Sequence, residues 1–109
     1  MVSRHKILIV DDTLPNRQLL REILLDAKEG YLVAEASGGL EAIEMVRHDA
    51  PDILLLDIQM PDMDGFKVCA ALKEDERYKD IPIVFITALV DSEDKVKGFA
   101  VGGADYITK

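Results

Sequence analysis

What the chain is short of narrows it quickly. Its 109 residues include one cysteine, Cys69, and no tryptophan. A single thiol cannot build a disulfide framework, so the fold has to rest on its core, and a reducing cytoplasm is the expected location. Cys69 falls among Phe66, Val68, Ala70 and Leu72, the setting of a small buried hydrophobe. Positive charge is scarce too: 13 lysines and arginines stand against 21 acids, a net charge of −8. Without a basic patch or basic helix, the chain is not expected to bind nucleic acid or an anionic membrane by itself. No apolar run suits a signal peptide or a membrane span, since Met1-Val2-Ser3-Arg4-His5-Lys6 leads straight into a short aliphatic stretch. Repeats, low-complexity tracts and internal linkers are absent as well. The rest, 49% hydrophobic and 31% charged, is ordinary for one globular domain over residues 1–109.

What is present alternates between apolar runs and helical spacing, the pattern of a βαβ chain. Ile7-Leu8-Ile9-Val10 reads as a buried strand. Leu19, Leu20, Ile23, Leu24 and Ala27 then recur at helical spacing, with Pro15 in the first turn and Gly30 as the stop. Leu32-Val33-Ala34-Glu35-Ala36 is a second, less apolar strand. After the turn Ser37-Gly38-Gly39, Leu40, Ala42, Ile43 and Val46 form one face of a second helix. Ile53-Leu54-Leu55-Leu56 is a third strand, followed by a helix from about Gly65 to Glu74 with Phe66, Cys69 and Leu72 inward. The charged stretch 73–80 reads as a solvated helix end and loop. Ile83-Val84-Phe85-Ile86 is a fourth strand. Asp91 or Ser92 can cap a fourth helix with Val96, Phe99 and Ala100 inward, and Tyr106-Ile107-Thr108 opens a fifth strand. This predicts a doubly wound α/β sheet with the three most apolar strands central and helices on both faces.

Parallel strands end at one edge, and the chemistry of this chain gathers there. Strand 1 runs into Asp11-Asp12, strand 3 into Asp57 and strand 4 into Thr87, while Lys109 follows strand 5. Carboxylates brought together repel one another unless a cation sits among them. Carboxylates with few other ligands suit Mg²⁺, with Mn²⁺ as the alternative, because such ions keep several waters and accept phosphate oxygens. Thr87 adds a hydroxyl and Lys109 a point charge with three donors. Metal, hydroxyl and ammonium around a carboxylate make a cradle for a transferring phosphoryl group, with Asp57 as nucleophile and an acyl phosphate as product. Asp62 and Asp64, in the loop after Asp57, read as loop acids. His5 and His48 lie away from this edge.

The pieces Ile7-Leu8-Ile9-Val10-Asp11-Asp12, Leu55-Leu56-Asp57 with Met60-Pro61-Asp62-Met63-Asp64-Gly65, Ile86-Thr87-Ala88, and Gly103-Ala104-Asp105-Tyr106-Ile107-Thr108-Lys109 stand in order across nearly the whole chain. Together they resemble the response-regulator receiver domain, the phosphoacceptor module of two-component signalling. The resemblance implies a flavodoxin-like sheet of strand order 2-1-3-4-5. It implies that Asp57 takes a phosphoryl group from a phosphohistidine on a partner histidine kinase or phosphotransfer protein, and that an output domain or target protein reads the result. Asp12 would bind Mg²⁺ directly, Asp11 mostly through water, and the main-chain carbonyl of Gln59 would add a ligand. Thr87 and Lys109 would hold phosphoryl oxygens, and Ala88 would leave room for them. Tyr106 matches the switch aromatic that swings inward as Thr87 moves, so that signalling runs through helix 4 and strand 5. The domain would assist its own phosphorylation without being classed as an enzyme.

Three rival readings sit on related folds. An aspartyl-nucleophile phosphatase resembling the haloacid dehalogenases needs a second Asp two residues after the nucleophile, and Gln59 stands there. A flavodoxin-like cofactor binder needs a phosphate loop after strand 1, where Asp11-Asp12 would repel a phosphate. A phosphorylation-independent interaction module would leave the five site positions unused. The resembling family usually continues past the lysine into a proline and a fifth helix. The expectation here is a receiver domain truncated before that helix, a fragment of a longer regulator or hybrid kinase. Apolar flanks of helix 1 and strand 5 would then be left open to association, including association with another copy.

Overall fold

The structure, a computed structural model, describes residues 5–26, 30–87, 102 and 105–108. Its centre is a set of five parallel strands: β1 (Lys6–Val10), β2 (Leu32–Ala36), β3 (Ile53–Asp57), β4 (Ile83–Thr87) and β5 (Asp105–Thr108), in the order β2-β1-β3-β4-β5. The three interior strands are the three unbroken apolar runs, as expected of strands covered on both faces. Strand alternation divides their side chains. Leu8, Val10, Leu54, Leu56, Ile83 and Phe85 point to one face, and Ile7, Ile9, Leu55 and Ile86 to the other.

Helices α1 (Leu14–Asp26), α2 (Gly39–His48) and α3 (Gly65–Lys73) complete the described elements. Ala42 and Val46 of α2 and Phe66, Val68, Cys69 and Leu72 of α3 join the first face, where Phe66 meets Phe85 edge-on at 5.2 Å between ring centroids. Leu20 and Leu24 of α1 pack on the second face. The sheet is thus doubly wound, with helices on both sides, as the sequence pattern predicts. The fourth helix expected over residues 91–103 lies outside the described residues, apart from Gly102.

Two expectations are corrected, for Leu40 and for the stretch 73–80. Leu40, assigned to the inner face of the second helix, is 59% exposed. It lies on the outer side of α2 with Glu44 and Arg47, and the inward face is carried by Gly39, Ala42 and Val46. Leu19 and Ile23 of α1 are likewise exposed, at 59% and 58%. Among the described residues α1 is the only helix on its face of the sheet. It settles on Leu20 and Leu24, and its flank stays open beside a groove of about 450 Å³ lined by Ile7, Leu24, Tyr31, Ile53 and Leu55 among others. This is the apolar flank foreseen for helix 1; side chains of β5 lie outside the described residues. The stretch 73–80 is not wholly solvated either. Tyr78 is buried in the core, and the Lys73 ammonium is folded back onto the carbonyls of Lys79 and Ile81 (2.8 and 2.7 Å). Those carbonyls belong to no helix or strand, and Lys73 satisfies them.

Candidate functional site

Three strands deliver the site. Val10 of β1 is in register with Leu56 of β3, and Asp57 with Ile86 of β4, so Asp11, Asp57 and the backbone of Thr87 meet at one edge of the sheet. Asp57 is itself the last residue of β3 rather than the first of the loop, which fixes its backbone through the sheet ladder. Asp11 and Asp57 are buried, at 1% and 5% exposure, while Asp12 faces solvent. Each of Asp11, Asp12 and Asp57 offers a carboxylate oxygen within 4.8 Å of the other two. Two sunken acids and one exposed acid form a cluster open on one side.

The surroundings hold Asp11 in place. Its Oδ1 accepts hydrogen bonds from the main-chain N–H and the hydroxyl of Thr13, each 2.9 Å. This is a local Asx arrangement that also starts the chain toward α1. Arg17 donates from Nη1 to the main-chain oxygen of Asp11 at 2.6 Å. Its Nε also lies 3.4 Å from Glu35 of β2, and Arg21 approaches the same carboxylate at 2.9 Å. The charge of Arg17 and Arg21 is thus drawn to Glu35, next to the strand end that carries Asp11. Neither Thr13 nor Arg17 was singled out from the sequence. The Asp-x-Thr spacing was a readable signal for the first, whereas the reach of Arg17 depends on how α1 is placed.

The loop 58–64 forms the wall after Asp57. Ile58 and Met60 turn into the core and Gln59 faces out. Gly65 closes the loop by donating its N–H to the Ile58 carbonyl at 2.8 Å. A Cβ at Gly65 would be driven into the main-chain oxygen of Asp57 and stand 3.0 Å from the Ile58 Cα. Glycine is needed there for clearance, not for an unusual φ. Asp64 caps α3, its Oδ1 accepting from the Lys67 N–H at 2.9 Å. Asp62 accepts from the N–H groups of Gly39 and Leu40 at the start of α2, and these bonds hold its carboxyl below the usual carboxylate range. Neither loop acid belongs to the three-acid cluster among the described residues.

The other expected site residues are placed in part or not at all. The backbones of Thr87 and Tyr106 are in β4 and β5, opposite Thr108 and Phe85 respectively; their side chains, and all of Ala88 and Lys109, lie outside the described residues. The donor set that is described, three carboxylates with solvent on one side, fits a hard divalent cation that retains water. No helix among the described residues is long and apolar enough to cross a membrane.

Comparison with known proteins agrees with this geometry. Residues 7–109 match the family model described as the response regulator receiver domain. The chain is 45% identical over 104 residues to the response regulator PleD of Caulobacter vibrioides, covering 95% of this chain and 22% of PleD. Among solved structures, the chemotaxis protein CheY4 of Vibrio cholerae superposes with a TM-score of 0.92 at 34% identity, covering 98% of this chain and 88% of that one. The phosphorylated cyanobacterial phytochrome response regulator RcpA gives a TM-score of 0.90 at 29% identity, covering 98% and 81%. The chain spans less than half the length of the curated relatives reported for it.

Proposed function

The chain belongs to the response regulator receiver domain family, and on that premise we propose that residues 1–109 form one phosphoacceptor domain that carries a phosphoryl group on Asp57. The observation that supports this most is the gathering of Asp11, Asp12 and Asp57 within 4.8 Å at the carboxyl edge of the sheet. A carboxylate oxygen of Asp57 forms the new P–O bond as the P–N bond to a donor imidazole breaks. The imidazole leaves with its electron pair and takes up a proton, and the product is a mixed anhydride on Asp57.

Asp11, Asp12, Asp57 and the main-chain carbonyl of Gln59 would hold Mg²⁺, with Mn²⁺ able to substitute. The ion supplies charge neutralisation to the phosphoryl oxygens. Thr87, Ala88 and Lys109 complete the phosphoryl pocket, and Thr87 with Tyr106 forms the switch. The phosphoryl donor is a histidine kinase or a histidine phosphotransfer protein in the cytoplasm, and the receiver of the signal is an output domain or target protein. The domain is a signalling module rather than an enzyme acting on a separate substrate.

Incubation with acetyl phosphate or beryllofluoride and Mg²⁺ tests this. Mass spectrometry should find phosphate on Asp57, and fluorine NMR should find the bound fluoride. A folded wild-type chain that acquires neither ligand would rule the phosphoacceptor reading out in favour of an interaction module on the same fold.

A further inference from the structure

The loop that follows Asp57 is tied to a helix it does not lead into. Residues 58–64 connect β3 to α3, yet Asp62 reaches the start of α2. Its Oδ1 accepts from the Gly39 N–H at 3.2 Å and its Oδ2 from the Leu40 N–H at 3.1 Å, 23 and 22 residues away in sequence. The N-terminal N–H groups of a helix need acceptors. Gly38, at the N-cap of α2, has no side chain to offer one. The helix and the loop also lie in close contact. A Cβ on Gly38 would stand 2.8 Å from the Asp62 Oδ2, and one on Gly39 would stand 2.7 Å from Val68 Cγ2 and 3.0 Å from Met63 Cβ. With Gly65 bonded to Ile58, the loop is clamped at its two ends and again at Asp62. Gln59 sits between those clamps.

We infer that Asp62 is a positioning residue for the metal site: by clipping loop 58–64 to the start of α2, it steadies the Gln59 backbone, whose carbonyl is the ligand proposed above to join the Asp11, Asp12 and Asp57 carboxylates. The inference rests on the reading of that cluster as a cation site. Asp62 itself lies outside the three-acid cluster. A loop that is already clamped has less freedom to lose when its carbonyl is engaged, so binding is tighter. The competing explanation is charge, because any acid near a cation site favours the cation. Gly38→Ala separates the two. The Gly38 backbone is extended (φ −169, ψ 172), a conformation that alanine adopts. The added methyl displaces the Asp62 carboxylate and leaves the net charge unchanged.

The experiment is a Mn²⁺ titration followed by the electron paramagnetic resonance of the free ion, on wild type, Asp62→Ala, Asp62→Asn and Gly38→Ala. Urea unfolding in EDTA is run in parallel. Asp62→Ala and Gly38→Ala should each weaken Mn²⁺ binding about tenfold, the size seen when a group that orients a metal ligand is removed. Asp62→Asn retains an acceptor oxygen for one of the two N–H groups and should recover part of the loss. Unchanged affinity with a lower urea midpoint would make Asp62 a helix cap only and overturn the inference. Loss in Asp62→Ala without loss in Gly38→Ala would assign the effect to charge and overturn it as well. If Asp62→Ala does not fold, Asp62→Asn and Gly38→Ala make the same comparison, and wild-type affinity in both would be decisive against it. A wild type that binds no Mn²⁺ fails at the earlier step, the cation site itself.

Discussion

Asp57 is buried beside two other acids, so the proposed phosphoacceptor also stands where like charges repel. Asp57→Asn should therefore abolish labelling by acetyl phosphate and leave the domain folded. In EDTA it should raise the urea-unfolding free energy, because it relieves like-charge repulsion with Asp11 and Asp12. A collapse of the fold in this variant would mean that Asp57 is structural. Gly65 shows the opposite bias. With Asp57's carbonyl in the space of its missing Cβ, Gly65→Ala should destabilise by about 2 kcal/mol or more, as overpacking against backbone does, and should disturb the strand end that presents Asp57. At the surface, Arg77 donates to Asp75 from its main chain and side chain and holds that carboxyl down at about 2. A carboxyl depressed in the folded state favours folding above its ordinary pKa of 3.8, and that contribution fades as pH falls from there toward about 2. Carboxyl NMR titration should place the Asp75 midpoint near the lower value in wild type and return it toward 3.8 in Arg77→Gln.

Between α3 and the sheet, packing is aromatic and tight. Phe85 is fully buried and meets Phe66 edge-on, so Phe85→Ala should cost about 3–5 kcal/mol of stability, read by urea unfolding. On the same helix Cys69 is fully buried, and burial pushes its thiol up to about 11 from 9.0. The unfolded chain loses this proton first, so the thiol's contribution is intact below pH 9 and is lost as pH rises through that window. Ellman's reagent should react with native Cys69 only at the rate of local opening, and with the urea-unfolded chain at once. Neutral reactivity equal to that of an exposed thiol would contradict the placement of α3.

For the molecule as a whole, a ligand that binds the folded cluster and not the unfolded chain must stabilise the fold. Mg²⁺ should raise the unfolding free energy, by about 2.7 kcal/mol at a hundredfold excess over its dissociation constant, and EDTA should remove the gain. Asp57→Asn should blunt this response, because it deletes one of the three carboxylates. The same whole-molecule view explains which parts were legible beforehand. The three apolar runs, and the acids that end two of them, could be read directly, because a strand buried on both faces needs unbroken hydrophobes and parallel strands share an edge. Helical spacing located α1 but could not say which of its leucines would be covered. Leu19 and Leu24 are alike in sequence and differ only in what lies opposite them. Tyr78 was masked by the charges around it, and its burial depends on the core having room for a ring.

The sequence by itself determined the doubly wound sheet, the central place of β1, β3 and β4, and the set of acids brought to the sheet edge, since unbroken apolar runs and strand-end residues are local properties. The tertiary structure decided the rest: that Asp11 is fastened by Thr13 and Arg17, that Gly65 is needed for clearance over the Asp57 carbonyl, and that Asp62 ties its own loop to the start of α2. Each of these is a contact whose partners are set by how finished elements pack, and a donor 23 residues away leaves no trace in the spacing of the residues beside it.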